Sequence, residues 1–482
     1  MKKFLVLTLL LTTTSLVAKD YRASVFGIKS DGITMNTRSI QKAIDFISEN
    51  GGGELQFSVG RYLTGSIHLK SNVTIRLNEG AILVGSTNPY DYDNVNGNGG
   101  LVLAYQQKNI AIKGKGVIDG RGREVALNII SQVHNGIMDD VLKYDRYVNR
   151  PQLLYLRECE NVSLDSIFVK NSANWTVYCD QCVYLTINGI SLDSKNYWNN
   201  DGLDIVDCRH VKVTDCFIDA SDDAICLKSH DAKTLCEDIE IRNCTARSSA
   251  SGIKFGTVSA GGFKNIRIIN NKVYDTHRSA ITIASMDGAE IENILIDSLY
   301  AFNTGNAIFL RTGSRWTGGK VGYLRDVTIS NVYIEVPATK PDAGYSYEGP
   351  VEDNPRNISP ASIVGIPSIP IENITISNVE IVYPGGGNPS YAYRGVTDEE
   401  LRKIPEMEDS YPEFSQFKEL PAWGFFVKHT NNINFQNVTL TAKQRDYRPA
   451  IVLDNVQKSK FSKMKYNEPG GSKKQLVKNN SK

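Results

Sequence analysis

The sequence predicts an all-β fold, a parallel β-helix solenoid with an N-terminal capping helix, and three observations carry that prediction. The first is a repeat in which a polar residue is followed by an aliphatic, a polar and an aliphatic one. It recurs at Asn161-Val162-Ser163-Leu164, Tyr184-Leu185-Thr186-Ile187, His210-Val211-Lys212-Val213, Asp238-Ile239-Glu240-Ile241 and Asn265-Ile266-Arg267-Ile268. It continues at Asn293-Ile294-Leu295-Ile296, Asp326-Val327-Thr328-Ile329, Asn373-Ile374-Thr375-Ile376 and Asn432-Ile433-Asn434-Phe435. The second is spacing: from Val162 to Val327 the units follow one another at roughly 23 to 33 residues, the range of solenoid repeats. Each unit holds a few short alternating strands, too little to bury a core alone, so the units must stack. The third is a cap: Thr37 to Asn50 places Ile40, Ala43, Ile44 and Ile47 on one helical face and is stopped by Gly51-Gly52-Gly53.

The first element in order is residues 1–18, MKKFLVLTLLLTTTSLVA, which read as a secretory signal peptide: Lys2-Lys3, an apolar run from Phe4 and a Leu-Val-Ala ending. The apolar run is too short to span a membrane stably, and no later segment offers the roughly 18 apolar residues that a spanning helix needs. Residues 19–466 are expected to form one elongated β-helix domain entering its first coils at Val73 and Ile110. Past Val336 the repeat is interrupted by stretches rich in Pro, Gly, Tyr and acids, 337–370 and 383–421, with one helical turn at Asp398 to Lys403. Insertions of that length wall one face of a solenoid. Residues 467–482 read as a disordered basic tail.

Composition narrows the class. Of 482 residues 41% are hydrophobic and 22% charged, and the formal charge is +1, or −1 without Lys2 and Lys3, so nothing points to nucleic acid. The eight Cys fall in columns: Cys159, Cys182, Cys208 and Cys236 each stand three places before an aligned aliphatic, and Cys216 and Cys244 form a second column. Such ladders predict buried or semi-buried free thiols. Zinc is disfavoured because Cys179-x-x-Cys182 lacks a matching pair, while one or two disulfides between adjacent coils stay open.

The chemistry concentrates in Asn199 to Ser229, NNDGLDIVDCRHVKVTDCFIDASDDAICLKS. Aligned on the inward aliphatics Leu203, Ile225, Ile253, Ile281 and Ile308, Asp201 falls in one column with Asp223, Ser251, Ser279 and Asn306, and Asp222 stands one place earlier. Stacked coils lie about 4.8 Å apart, so three carboxylates meet and at least one pKa should rise, as general acid–base work requires. Outward columns read Asp204, Cys226, Lys254, Thr282, Phe309 and Val206, Lys228, Gly256, Ala284, Arg311. Lys228, Lys254 and Arg311 are therefore expected along the face of the acids, where cations suit an anionic sugar chain. Tyr197 and Trp198 beside the acids, and Trp175 and Tyr178 one coil earlier, are candidates for sugar stacking.

These residues resemble glycoside hydrolase family 28, the polygalacturonases and their relatives, over most of the chain. The opening FG…DG…NT..IQKAID…GGG…G.Y.TG.I.LKSNV is shared widely among β-helix pectin enzymes. Asn199-Asn200-Asp201-Gly202-Leu203-Asp204 looks like the family's Asn-Thr-Asp-Gly-x-Asp, Ser221-Asp222-Asp223 stands in its paired-Asp context, and Asn171-Ser172-Ala173-Asn174-Trp175 looks like its segment one coil earlier. The resemblance implies a right-handed β-helix in which Asp222 is the general acid and Asp201 and Asp223 activate water, with inversion. It implies an acidic pectic substrate and no cofactor or metal, and Asn200, Asp204, Trp198, Lys228, Lys254 and Arg311 are the residues expected to bind that substrate. An exported protein, periplasmic or secreted and monomeric, is the expectation.

The chain departs from the pattern where polygalacturonases carry Gly-His-Gly, here Ala250-Ser251-Gly252, and Arg-Ile-Lys, here Thr282-Ile283-Ala284. A relocated anion site, and with it an exo-acting galacturonosidase or a hydrolase of decorated pectin, fits better than a plain endo-enzyme. Two other classes remain at this point: a Ca²⁺-dependent β-helix lyase or epimerase, and a non-catalytic carbohydrate-binding β-helix.

Overall fold

The computed structural model describes residues 19–139, 150–197, 199–339, 359–387, 395–470 and 474–482. The expected signal peptide, Trp198 and parts of both insertions lie outside the described residues. Strands pair in parallel from coil to coil, and every repeat read from the sequence falls in one ladder. Val162 faces Leu185, then Val211, Ile239, Ile266, Ile294, Val327, Ile374 and Ile433. The protein is a right-handed parallel β-helix, 54% strand and 10% helix.

The polar residue that opens each repeat has a backbone reason. Asn161, Tyr184, His210, Asp238, Asn265, Asn293, Asp326, Asn373 and Asn432 all have φ between 54° and 63°. That left-handed corner suits Asn and Asp best among side-chain-bearing residues. Stacking then lets the corners bond one another: Asn293 Nδ2 donates to Asn265 Oδ1 at 2.7 Å, and Asn432 Nδ2 to Asn373 Oδ1 at 2.9 Å. Where the corner holds Tyr184 and His210, the rings stack instead, 5.0 Å apart.

The aliphatics of these strands fill the helix interior as one continuous core. The Cys columns join it: all eight thiols are free and buried, and Cys182 N–H donates to Cys208 Sγ at 3.3 Å. Helix α1, Thr37–Glu49, closes the first coil with Ile40, Ala43, Ile44 and Ile47 fully buried. Val73 and Ile110 open coil strands at Val73–Leu77 and Lys108–Gly114.

Three features correct the sequence reading. Helix α2, Gly122–His134, was not foreseen, because it starts from Arg121 in a left-handed conformation with no capping side chain. It buries Val125 and Ile129 against Ala173, and Ala126 against Tyr197. The first insertion ends earlier than residue 370: Ala361–Val364 is a coil strand facing Phe309–Arg311 on one side and Phe425–Lys428 on the other. The expected disordered tail carries the strand Leu476–Asn479, which pairs with Ile451–Asp454 and buries Val477. Among the described residues no helix is long and apolar enough to cross a membrane.

Candidate active site

The acids sit where the register predicts. Leu203, Ile225, Ile253, Ile281 and Ile308 pair in sequence. Gly202 N–H donates to Asp223 O at 2.9 Å, Ala224 N–H to Ser251 O at 2.9 Å, and Gly252 N–H to Ser279 O at 3.1 Å. Asp201 and Asp223 are therefore neighbours in successive coils. Gly202 permits that closeness, since a Cβ there would meet Ala224 O and Ile218 Cγ2, each at 2.5 Å.

Their surroundings differ. Asp223 Oδ2 accepts from Lys254 Nζ at 2.6 Å and Oδ1 from Ser251 N–H at 3.1 Å. Burial alone would raise its pKa, but Lys254, Arg278 and Lys228 together hold it below the ordinary 3.8. Asp222 has no ion-pair partner among the described residues, and burial followed by the charge of Asp223 raises its pKa. The pair thus sets a carboxyl whose pKa is raised next to one whose pKa is lowered, the split that acid and base roles require. Asp201 is buried and bonded to Lys228 Nζ at 2.7 Å; burial, then the neighbouring Asp204, Asp222 and Asp223, drives its pKa upward against that cation.

The cations are not disposed as expected. Lys228 and Lys254 point to the acid face, yet their side chains are 7% and 3% exposed and engaged with acids. Lys228 Nζ bridges Asp201 and Asp204, and Asp204, fully buried, has its pKa pushed up to about 6 by burial against that cation. Arg311 belongs to coils further on, where its guanidinium donates to the carbonyls of Val364, Glu406 and Met407. Burial takes its pKa down to about 10. Asn200 is consumed by the turn: its Nδ2 donates to Ser172 O and Asn174 O, and its Oδ1 accepts from Tyr197 N–H. These four residues, whose side chains are engaged by protein groups, and Asp204, held through Oδ1 by Lys228, shape and charge the floor from beneath. Trp175 covers Lys228, with Nζ 4.0 Å from the ring centroid, while Tyr178 is buried against Tyr155. Asp201, Asp204 and Cys226 place ligand atoms within 4.8 Å of one another, but the Lys228 ammonium bonds both carboxylates there.

Two further groups complete the site. Arg278 lies in the column of Asp222, two coils on: Arg278 N–H donates to Ala250 O, next to Ser251. Its Nε pairs with Glu413 at 2.9 Å. Tyr411 stands over it, with its hydroxyl 3.0 Å from Lys254 Nζ and 3.3 Å from Arg278 Nη1. Arg278 was legible from the alignment that placed Ser279 one position later, whereas Tyr411 carried no signal.

Tyr411 and Glu413 belong to residues 395–421, which cover the outward face beyond the acids. Helix α3, Asp398–Arg402, opens on a capping box between Thr397 and Glu400. Leu401, Ile404, Phe414, Phe417 and Leu420 pack on the outward residues Phe309, Val364, Phe426, Val452 and Val477. Lys428 Nζ bonds Glu406 at 2.8 Å and Ile404 O at 3.2 Å.

Residues 51–383 match Glycosyl hydrolases family 28. The chain belongs to that family. It is a glycoside hydrolase, and the stacked Asp201, Asp222 and Asp223 lie within the matched span. It is 25% identical over 396 residues to a protein of Vitis vinifera named a probable polygalacturonase, covering 74% of this chain and 73% of that one. It is 27% identical over 262 residues to the exo-poly-alpha-D-galacturonosidase of Dickeya chrysanthemi, covering 44% of this chain and 42%, under half, of that relative. The family 28 exopolygalacturonase structure of Yersinia enterocolitica superposes with a TM-score of 0.65 at 18% identity, over 95% of this chain and 79% of that one, and shares the fold.

Proposed function

We propose that this family 28 hydrolase removes sugars from the end of an acidic pectic oligosaccharide or polysaccharide, with inversion at the anomeric carbon. Asp222 gives its proton to the glycosidic oxygen. Asp223, kept ionised by Lys254 and Arg278, takes the proton of the water that attacks from the opposite face, and Asp201, in the same column one coil earlier, holds that water. The glycosidic oxygen leaves as a hydroxyl of the remaining chain, and the released sugar carries the hydroxyl that came from water.

The observation that carries the exo reading is the wall of residues 395–421. Outward faces that could hold a polysaccharide beyond the acids are buried under Phe414, Phe417 and Leu420. A chain lying along the coils would stop at Tyr411, so it enters by its end. The Dickeya relative is named for exo action on galacturonide, which agrees with this reading. The protein works as an exported monomer, periplasmic or secreted, without a cofactor.

The test is incubation of the purified protein with α-1,4-linked oligogalacturonides and rhamnogalacturonan oligosaccharides, with and without chelator, and mass analysis of early products. Saturated monosaccharide as the first product, unaffected by chelator, is the expected result. A ladder of internal fragments contradicts exo action, and unsaturated ends lost on chelation contradict hydrolysis.

A further inference from the structure

The family match ends at residue 383, so the wall and Tyr411 lie outside the span that it covers. Tyr411 is 41% exposed although it stands over buried charges. Its hydroxyl oxygen accepts from Lys254 Nζ and from Arg278 Nη1, and the two donors occupy both lone pairs of a phenol oxygen. The ring is fixed as well: Lys254 Nζ lies 5.3 Å and the Arg278 guanidinium carbon 5.6 Å from its centroid. What remains is the phenolic O–H, a single donor with neither cation able to accept from it. Lys254 in turn holds Asp223 at 2.6 Å, so this donor stands two hydrogen bonds from the reacting carboxylates.

The positions that the family gives to Arg-Ile-Lys are Thr282-Ile283-Ala284 here, and the cations Lys228, Lys254 and Arg311 are engaged by protein groups. Arg278 is likewise engaged, with Glu413 and the Tyr411 hydroxyl, so a sugar carboxylate in the cleft needs a donor that these pairings leave over. We propose that Tyr411 is that donor: it is a specificity-determining residue that gives its hydroxyl hydrogen to the carboxylate of the terminal uronic acid, with Lys254 and Arg278 placing their charge behind it. A donor backed by two cations favours an anionic acceptor over a neutral hydroxymethyl group at the same position. Held on the wall, Tyr411 also makes the wall a reader of the chain end as well as a stop.

The inference rests on the exo-hydrolase reading, and the test separates the two. Wild type and Tyr411→Phe are assayed on a trigalacturonide and on its carboxyl-reduced, neutral counterpart, with kcat and KM measured separately. The phenyl ring keeps the packing and loses only the O–H. The expected result is a fall of about ten- to a hundredfold in kcat/KM on the uronide, mainly in KM, with little change on the neutral substrate. Equal losses on both substrates, or no loss on either, overturn the assignment to Tyr411. Failure of wild type on the uronide overturns the exo-hydrolase reading itself. Unchanged pH dependence of kcat in Tyr411→Phe is expected, since a purely electrostatic effect of the hydroxyl on Asp223 would move it.

Discussion

The floor that carries Asp201, Asp222 and Asp223 is made of strands that repeat in register, whereas residues 395–421 form a single insertion seated on those strands by apolar side chains and a few ion pairs. On the floor, each catalytic position is fixed by hydrogen bonds of the coils above and below, so the acids are as rigid as the helix itself. On the wall, position depends on Leu401, Ile404, Phe414 and Phe417 finding Phe309, Phe426 and Val452. In the proposed function the difference separates two jobs: the repeat sets the chemistry, and the insertion sets which part of a chain reaches it.

The largest expected effect belongs to the floor. Asp222→Asn should lower kcat about 10³-fold while leaving oligosaccharide binding in place, measured by product release and by calorimetry. Retained turnover would remove Asp222 from its role. Lys228→Met should destabilise the coils by about 3–5 kcal/mol, because Asp201 and Asp204 are left buried without their cation; thermal melting checks it. An unchanged melting temperature would mean that Lys228 is not the support of this cluster.

The pH dependence sharpens the contrast within the pair. With the proposed roles, hydrolysis needs Asp223 ionised, which fails as pH falls through a value below 3.8, and Asp222 protonated, which fails as pH rises through a value above 3.8. Activity is thus highest between the two. Lys254→Met removes the cation that most lowers Asp223, so the acid-side limb of kcat/KM should move to higher pH. A limb that stays in place would assign it to another group.

Weakening the wall should do something different in kind. Phe417→Ala loosens its packing on Phe309 and Arg311, 6.4 Å and 5.1 Å away. The helix should melt nearly as before, since a local element opens without the coils, while early products shift from monosaccharide toward longer fragments. A purely monosaccharide pattern in that variant would show that the wall does not limit the cleft. The smallest effect is expected from the thiols: all eight are buried and should not react with an aromatic disulfide reagent until the protein is unfolded.

How far the sequence could be read follows the same division. The repeat needed only the aliphatic columns and the polar corner, and both are local properties of each coil, so the ladder from Val162 to Ile433 and the stacking of Asp201 on Asp223 were legible. Direction was legible too: Lys228 and Lys254 do point to the acid face. Their partners were not, because a column says which way a side chain leaves the strand and not where its end stops. Lys228 folds back on Asp201 and Asp204 one coil earlier, which turns an expected substrate contact into a support. The wall was recognised as an insertion, yet its hydrogen bonds span 157 residues to Lys254 and 133 to Arg278, and no local pattern announces contacts of that range. Helix α2 was hidden for a simpler reason, its uncapped start at Arg121.

The measurement that bears most directly on the central claim is proton NMR of the anomeric signals during the first turnovers on an α-linked oligogalacturonide. Asp222 as acid, with Asp223 as base and Asp201 holding the water, predicts that the β-anomer of the released sugar appears first and the α-anomer only later by mutarotation. First appearance of the α-anomer would mean retention through a covalent intermediate, and the roles given to the three stacked acids would be wrong.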